Sequence, residues 1–477
     1  MTDPQPLYVA GEWVATASTR PVFDPARGER IAEVCLADED VCERAAAAAA
    51  AARAPLAALS AGERAGLLLA LAARLERRAD EAAERIVAEA GKPRALARGE
   101  VGRALATLRI AAEEAVRLYG ETIPLDRSEA GKGRLGVVRR FPAGPVLGIT
   151  PFNFPLNLAC HKLAPALAAG CPVVLKAADQ TPLTALLLAE LCEGVGWPTG
   201  SVSVLNAEVP AAERLVRDER FALLSFTGSP RVGFLLKERC GRKRVLLELG
   251  GNAAVYVDRS VADLDAAAER IAFGALAYSG QVCISVQRIY AHREVADPLR
   301  ERLVARFGAP GSRDPRAEDA GVVPLIDEAA ARRVEGLVRD ALSRGARALV
   351  GGAREGSWHP PTLLEGVPED APANREEAFG PLATFAAVED AEEAFARMDD
   401  SPYGLQAGIF TRDVQQVLAA HERLEVGAVL HDDVPTWRVD EMPYGGVKSS
   451  GLGREGLRDA LRAMTEPRLL VLRRALA

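Results

Sequence analysis

From residue 145 to residue 249 the chain alternates short apolar runs with helical ones, and few architectures accept that pattern. Residues 145–150, 172–176, 201–205, 222–226 and 244–249 read as strands. Helical runs separate them. One spans 156–169 and stops at Gly170; another runs to 195 and opens at Thr181-Pro182, with the threonine as cap and the proline in the first turn. Strands this short and this apolar are buried on both faces, which predicts a parallel sheet with helices on either side. A second alternation follows Gly251. Helices near 264–277, 295–306, 327–344 and 413–424 separate strands near 253–257, 286–291, 346–350 and 427–430, predicting a second α/β unit.

The N-terminal third reads differently. Residues 8–14 form a hairpin with a glycine turn. The alanine run 45–52 is a helix by propensity. Ser60 and Glu63 have the spacing of a capping box, Gly91 stops a further helix, and 94–119 is a long amphipathic one. The chain closes on a helix and a short strand, 469–472. At 477 residues, two or three domains are expected.

Charge and cysteine usage exclude several classes. A net charge of −7 with no basic tract argues against a nucleic-acid partner. No apolar run reaches the length of a membrane span, and the first six residues lack the regions of a signal peptide, so a cytoplasmic protein is expected. Seven cysteines without CxxC pairing fit reduced thiols, and five dispersed histidines give no metal-ligand spacing.

Two positions carry the chemistry. Cys283 follows a glycine turn and precedes a β-rich run, a junction that presents a thiol from a rigid frame. Glu248 lies in an apolar strand that ends in Gly250-Gly251, where burial makes a carboxylate costly. Together they read as a thiol nucleophile and a general base. The plainer readings are a buried apolar cysteine, which suits Cys171 and Cys192, and a glutamate partnered with Lys243 or Arg244. Gly-x-Gly-x-x-Gly is absent. Instead Gly228, Ser229 and Gly233 follow a strand and open a helix, where small residues and free N–H groups suit a pyrophosphate.

At Phe152-Asn153-Phe154, Leu175-Lys176, residues 226–233, Glu248-Leu249-Gly250-Gly251, Gly280-Gln281-Val282-Cys283, Glu377-Ala378-Phe379-Gly380 and Pro443-Tyr444-Gly445-Gly446, the chain resembles the aldehyde dehydrogenase superfamily along nearly its whole length. Residues 434–438 before Pro443 resemble the branch holding lactaldehyde, phosphonoacetaldehyde and sulfoacetaldehyde dehydrogenases. The resemblance implies an α/β fold with a Rossmann-type cofactor domain (1–121 and 139–249), an α/β catalytic domain (250–463) and a β oligomerisation flap (122–138 and 464–477) that pairs with another subunit in a homodimer or homotetramer.

The same resemblance implies NAD(P)-dependent oxidation of a small, anionic aldehyde through a cysteine hemithioacetal and a thioester. The Asn153 amide and the Cys283 backbone N–H would hold the oxyanion, Asn153 otherwise being a turn residue. Lys176 and Asp179 would bind the adenosine ribose, with Asp179 standing where the family often has glutamate and leaning the choice toward NAD, with NADP as the alternative. Glu377 would hold the nicotinamide ribose and Phe379 would pack near the nicotinamide. Arg103 and Arg438 would approach the substrate's charged group, unless they are surface arginines. His161 either faces the pocket or is a satisfied helix histidine. Phe154 and Val282 stand where enzymes of glyceraldehyde 3-phosphate carry tyrosine and arginine, which weighs against a phosphorylated triose. Two other readings are a coenzyme A-acylating enzyme, disfavoured by Glu248, and a non-catalytic NAD-binding descendant of the fold.

Overall fold

The computed structural model describes residues 3–473. Two large sheets, one three-stranded sheet and two two-stranded ribbons organise them. The first sheet has eight strands. Its centre is five parallel strands in the spatial order Val202–Leu205, Val173–Lys176, Val146–Ile149, Leu223–Thr227 and Arg244–Glu248. Antiparallel strands close both edges: the hairpin Leu7–Val9 and Glu12–Val14 on one side, Gly451–Leu452 on the other. In chain order the five parallel strands run 3-2-1-4-5, so the winding reverses between Val146–Ile149 and Leu223–Thr227. A crevice opens at such a switch point.

Burial on both faces is visible residue by residue. Val146, Val173, Val204 and Leu223 pack into one core with the helix Asn157–Ala169, while Leu147, Val174, Leu205 and Leu224 pack into another with Cys42, Ala45 and Ala49 of the helix Glu39–Ala58. At about 25 cal/mol per Å² of apolar area, this double burial is what holds short strands in place.

The second sheet has seven strands, ordered Arg347–Val350, Thr362–Glu365, Leu382–Val388, Val286–His292, Ala253–Val257, Gln406–Phe410 and Ala428–His431. All are parallel except the first, which is antiparallel to its neighbour. Three of these strands, Thr362–Glu365, Leu382–Val388 and Gln406–Phe410, escape the sequence reading, as does the helix Ala391–Asp399. Glycine and proline punctuation at 356–381 and 401–404 hides them.

The third sheet joins Thr465–Arg473, Arg134–Pro142 and Glu121–Pro124. The last strand is longer than expected because it stays in register with its partner from Thr465 opposite Pro142 to Arg473 opposite Arg134. Its Leu469, Leu470, Val471 and Leu472 remain about half exposed. Residues 474–477 of the expected flap lie outside the described residues. No single helix among the described residues is long and apolar enough to cross a membrane.

Several helix ends follow their sequence signals. Ser60 and Glu63 form the reciprocal capping box, and Gly91 and Gly170 close their helices in the left-handed conformation. The long helix ends at Val116, short of residue 119. Thr181 makes no side-chain cap for the helix Pro182–Cys192. The buried Glu89 takes that place, accepting from Leu183 N at 2.7 Å and Thr184 N at 2.8 Å. A carboxylate from another helix satisfies those N–H groups better than a local hydroxyl does.

Candidate active site

The crevice at the switch point deepens into a cavity of about 1550 Å³. Thr150, Phe152 and Asn153 line it from the end of the first parallel strand, Gly228 and Ser229 from the end of the fourth, and Cys283 from the second sheet's side.

Cys283 is presented by a strained turn. Tyr278 and Ser279 both have positive φ, 49° and 55°, unusual for residues with side chains. The strain is overdetermined by buried bonds: Tyr278 Oη donates to Ala90 O and Ser279 Oγ to Val323 O at 2.7 Å. Of the seven cysteines, the other six are buried and only Cys283 is partly open. Burial pushes its thiol up to about 12, and the Tyr444 hydroxyl, 3.1 Å from the sulfur, pulls the other way. A Cβ on Gly251 would sit 2.1 Å from the Cys283 carbonyl oxygen, so only glycine lets the strand carrying Glu248 pass this close.

Glu248 ends its strand fully buried, and neither carboxylate oxygen has a hydrogen-bond partner. Burial raises its pKa well above the carboxylate range, and the charge of Glu455 raises it further. Arg438, Lys162 and Arg454 oppose that shift. Glu455 itself is held down to about 2, chiefly by Lys162. The two neighbouring carboxyls thus have their pKa values pushed apart, Glu248 upward and Glu455 downward. A Cβ on Gly445 would lie 2.8 Å from Glu248 Oε1, so the glycine loop is moulded to the carboxyl.

Asn153 is buried, and its amide donates to Gln281 O at 2.8 Å. One N–H thus fixes its orientation and the other remains for the cavity. The loop carrying it is anchored by Glu100, which accepts from Leu156 N at 2.9 Å and Asn157 N at 3.1 Å and pairs with Lys92 inside the wall. Lys92 lies 3.7 Å from the centre of the Phe154 ring.

Of the residues expected to bind a dinucleotide, all but Gly233 line the same cavity. The helix Pro230–Arg239 starts at Ser229 without a side-chain cap, leaving its first N–H groups toward the lining residues Gly228 and Ser229. Gly233 packs so tightly on Leu249 that a Cβ would come within 2.4 Å of it. Lys176 Nζ meets Asp179 Oδ1 at 2.6 Å, and Arg20 Nη1 meets Asp179 Oδ2 at 2.6 Å. Glu377 lines the cavity, accepts from Gly251 N at 3.0 Å, and is pushed up to about 7 by burial. Phe379, with φ of 44°, packs edge-on against Phe152 at 5.8 Å. An uncapped helix end, a cation–carboxylate pair and a second buried carboxyl around one cleft fit the phosphates and riboses of a dinucleotide.

The residues read as substrate contacts divide. Phe154, Arg103 and Arg438 line the cavity. Arg438 is a buried guanidinium over the Tyr444 ring at 3.5 Å, with Glu455 3.4 Å from one nitrogen and no partner on Nε. Arg103 is held by Asp440 through two bonds of 3.0 and 2.6 Å. His161 does not face the cavity. It is fully buried behind the wall, bonded to Asp440 at 2.8 Å and close to Thr107, because its helix is buried on every side. Burial holds its imidazole below the ordinary value.

Several participants escape the sequence reading. Lys162 and Glu455 pair inside the fold, Asp440 gathers Arg103, Asn157 and His161, and Arg20 reaches Asp179 from an N-terminal strand. A lysine in the otherwise apolar helix 157–169 is a signal that could have drawn notice. The partners of Asp440, and the contact of Arg20 with Asp179, are set by tertiary contacts and leave no local trace.

A dinucleotide-type crevice with a strained, accessible cysteine defines a class of cysteine-bearing oxidoreductase folds. Residues 13–470 match the model of the aldehyde dehydrogenase family. The chain belongs to that family and is an NAD(P)-dependent oxidoreductase acting on aldehydes. It is similar to 3-sulfolactaldehyde dehydrogenase of Priestia megaterium, 42% identical over 98% of this chain and 97% of that protein. Among solved structures it is similar to aldehyde dehydrogenase 21 of Physcomitrella patens in complex with the product succinate, with TM-score 0.97, 42% identity and 99% of each chain covered. It is also similar to the NADP-dependent glyceraldehyde-3-phosphate dehydrogenase of Bacillus halodurans complexed with NADP, with TM-score 0.96, 35% identity and 99% and 100% coverage.

Proposed function

We propose that the chain oxidises a small aldehyde bearing a single negative charge to its carboxylic acid, with Cys283 as nucleophile and Glu248 as general base. The observation that carries this reading is the position of Cys283, the one cysteine left partly open, in a cavity it shares with Asn153 and Arg438. The thiolate adds to the carbonyl carbon. The second N–H of Asn153 and the backbone N–H of Cys283 are the donors for the oxyanion. Glu377 and Phe379 would hold a nicotinamide beside that carbon, and the chemistry it would supply there is uptake of the hydride. Water then adds to the thioester, Glu248 takes its proton, and the carbon–sulfur bond breaks to release the acid and the thiolate. Burial raises the Glu248 pKa while Arg438 and Lys162 lower it, and its ionised form is the one that takes the water's proton.

Arg438 supports an anionic substrate, since a buried guanidinium with a free Nε is costly until an anion reaches it. The Priestia relative acts on a sulfonated aldehyde, and the Physcomitrella structure holds a dicarboxylate product. Phe154 and Val282 weigh against a phosphorylated triose. At the ribose, Lys176 and Arg20 together offset the charge of Asp179, which supports use of NADP as well as NAD. The first sheet with its N-terminal helices acts as cofactor domain, 250–463 as catalytic domain, and the exposed strand Thr465–Arg473 as the flap that assembles subunits.

An aldehyde panel, neutral and anionic, with both cofactors and with Cys283→Ala, tests the reading. Turnover by the wild type with release of free acid, abolished in the variant, is expected. Product that appears only as a coenzyme A thioester would replace it with the acylating alternative.

A further inference from the structure

Tyr444 is absent from the reading above, yet its hydroxyl is a hydrogen-bond partner of the reactive sulfur. Tyr444 Oη lies 3.1 Å from Cys283 Sγ, and the ring is 3% exposed. Its place is fixed from both sides. Glu455 N donates to Tyr444 O at 2.7 Å, and the Arg438 guanidinium covers the ring face at 3.5 Å. We propose that Tyr444 is a further catalytic residue whose phenol O–H donates to the Cys283 sulfur and holds it as the thiolate before attack and again when the thioester breaks.

This assignment rests on Cys283 being the nucleophile and adds the group that makes its ionised form accessible. In the neutral pair either atom can donate. Once the S–H proton has left to solvent water, the sulfur has none to give, and only the phenol can donate. A thiolate in a site this dry is expensive, and one charge-assisted hydrogen bond offsets much of that cost. Burial and the thiol's own charge push the phenol well above its ordinary range, so Tyr444 keeps its proton and serves as a donor, not as a base. Arg438, stacked on the ring, polarises the O–H toward the sulfur. Its positive charge also lowers the thiol's pKa directly.

The experiment measures alkylation of Cys283 by iodoacetamide against pH, in the full-length protein without aldehyde or cofactor, following the Cys283 peptide by mass spectrometry. Tyr444→Phe removes one oxygen and keeps the ring. Losing a hydrogen bond to a charged group should slow alkylation about 10- to 100-fold below the thiol's midpoint and move that midpoint up. A second series places 3-fluorotyrosine at position 444, which makes the phenol a stronger donor. It should move the midpoint down. An unchanged profile in Tyr444→Phe, or an upward shift with fluorotyrosine, overturns the proposal. Turnover that survives Cys283→Ala would instead overturn the nucleophile assignment itself, so the two failures are separate results.

Discussion

Replacing Arg438 with methionine should separate charged from uncharged aldehydes. The guanidinium is buried with only 7% of its side chain exposed, and Glu455 at 3.4 Å occupies part of its charge, while Nε has no partner. Removing one partner of a desolvated charge pair costs about 2–5 kcal/mol. Glu455 keeps the effect near the lower end, about 2–3 kcal/mol, or roughly 30- to 150-fold in kcat/KM. The assay compares an aldehyde carrying a terminal carboxylate or sulfonate with an uncharged homologue of equal length. The ratio of their kcat/KM values should collapse by that factor, while the uncharged homologue reports any general damage from leaving Glu455 with one cation fewer. Arg438→Lys should recover part of the ratio, because it returns the charge without the planar fork. A ratio unchanged in Arg438→Met would refute the anion contact.

Glu248→Gln should leave the first turnover's burst of reduced cofactor and slow the steady state about 10²- to 10⁴-fold, the usual worth of a general base. Because the base form of a carboxyl with a raised pKa is required, the wild-type deacylation rate should climb with pH through a midpoint above the ordinary carboxylate range. That limb should vanish in Glu248→Gln. Lys92→Met leaves Glu100 charged, buried and short of one partner, and should cost about 3–5 kcal/mol, read as a lowered melting temperature. Lys92→Met combined with Glu100→Gln should recover a large part of it, since the orphaned charge is gone. Leu470→Arg, in the half-exposed final strand, should shift sedimentation toward smaller species with the secondary structure intact. Unaltered sedimentation would remove that strand from any subunit interface.

The first sheet is legible in the sequence because its central strands are short and mostly apolar, as at Val173–Lys176 after Pro172. The second sheet is less so. Gln406–Phe410 begins with a buried glutamine whose amide bonds the carbonyls of Pro435 and Trp437, a satisfaction that only the folded chain supplies. Motifs single out Cys283 and Asn153, which line the cavity, and Glu248, which is buried at its strand end and is not a lining residue, because their backbone context is local: a turn, a loop and a strand end. Of the two readings left open for His161 the structure takes the satisfied helix histidine, a choice that helical spacing cannot make because it does not say that all faces are covered. Tyr444 passes unnoticed among the glycines of its loop. Its proximity to Cys283 spans 161 positions of sequence, and no periodicity encodes that.

The strand Arg244–Glu248 of the first sheet leads through residues 249–252 directly into Ala253–Val257 of the second. The polypeptide therefore crosses between the two lobes at Gly250 and Gly251, beside the sulfur. A door moves least next to its pin. Any tilting of one lobe against the other sweeps the far rims, where the adenosine end would enter, through much longer arcs than it does Glu248 and Cys283. A rotation about this crossing would widen the entrance while leaving the spacing of Glu248 and Cys283 nearly unchanged.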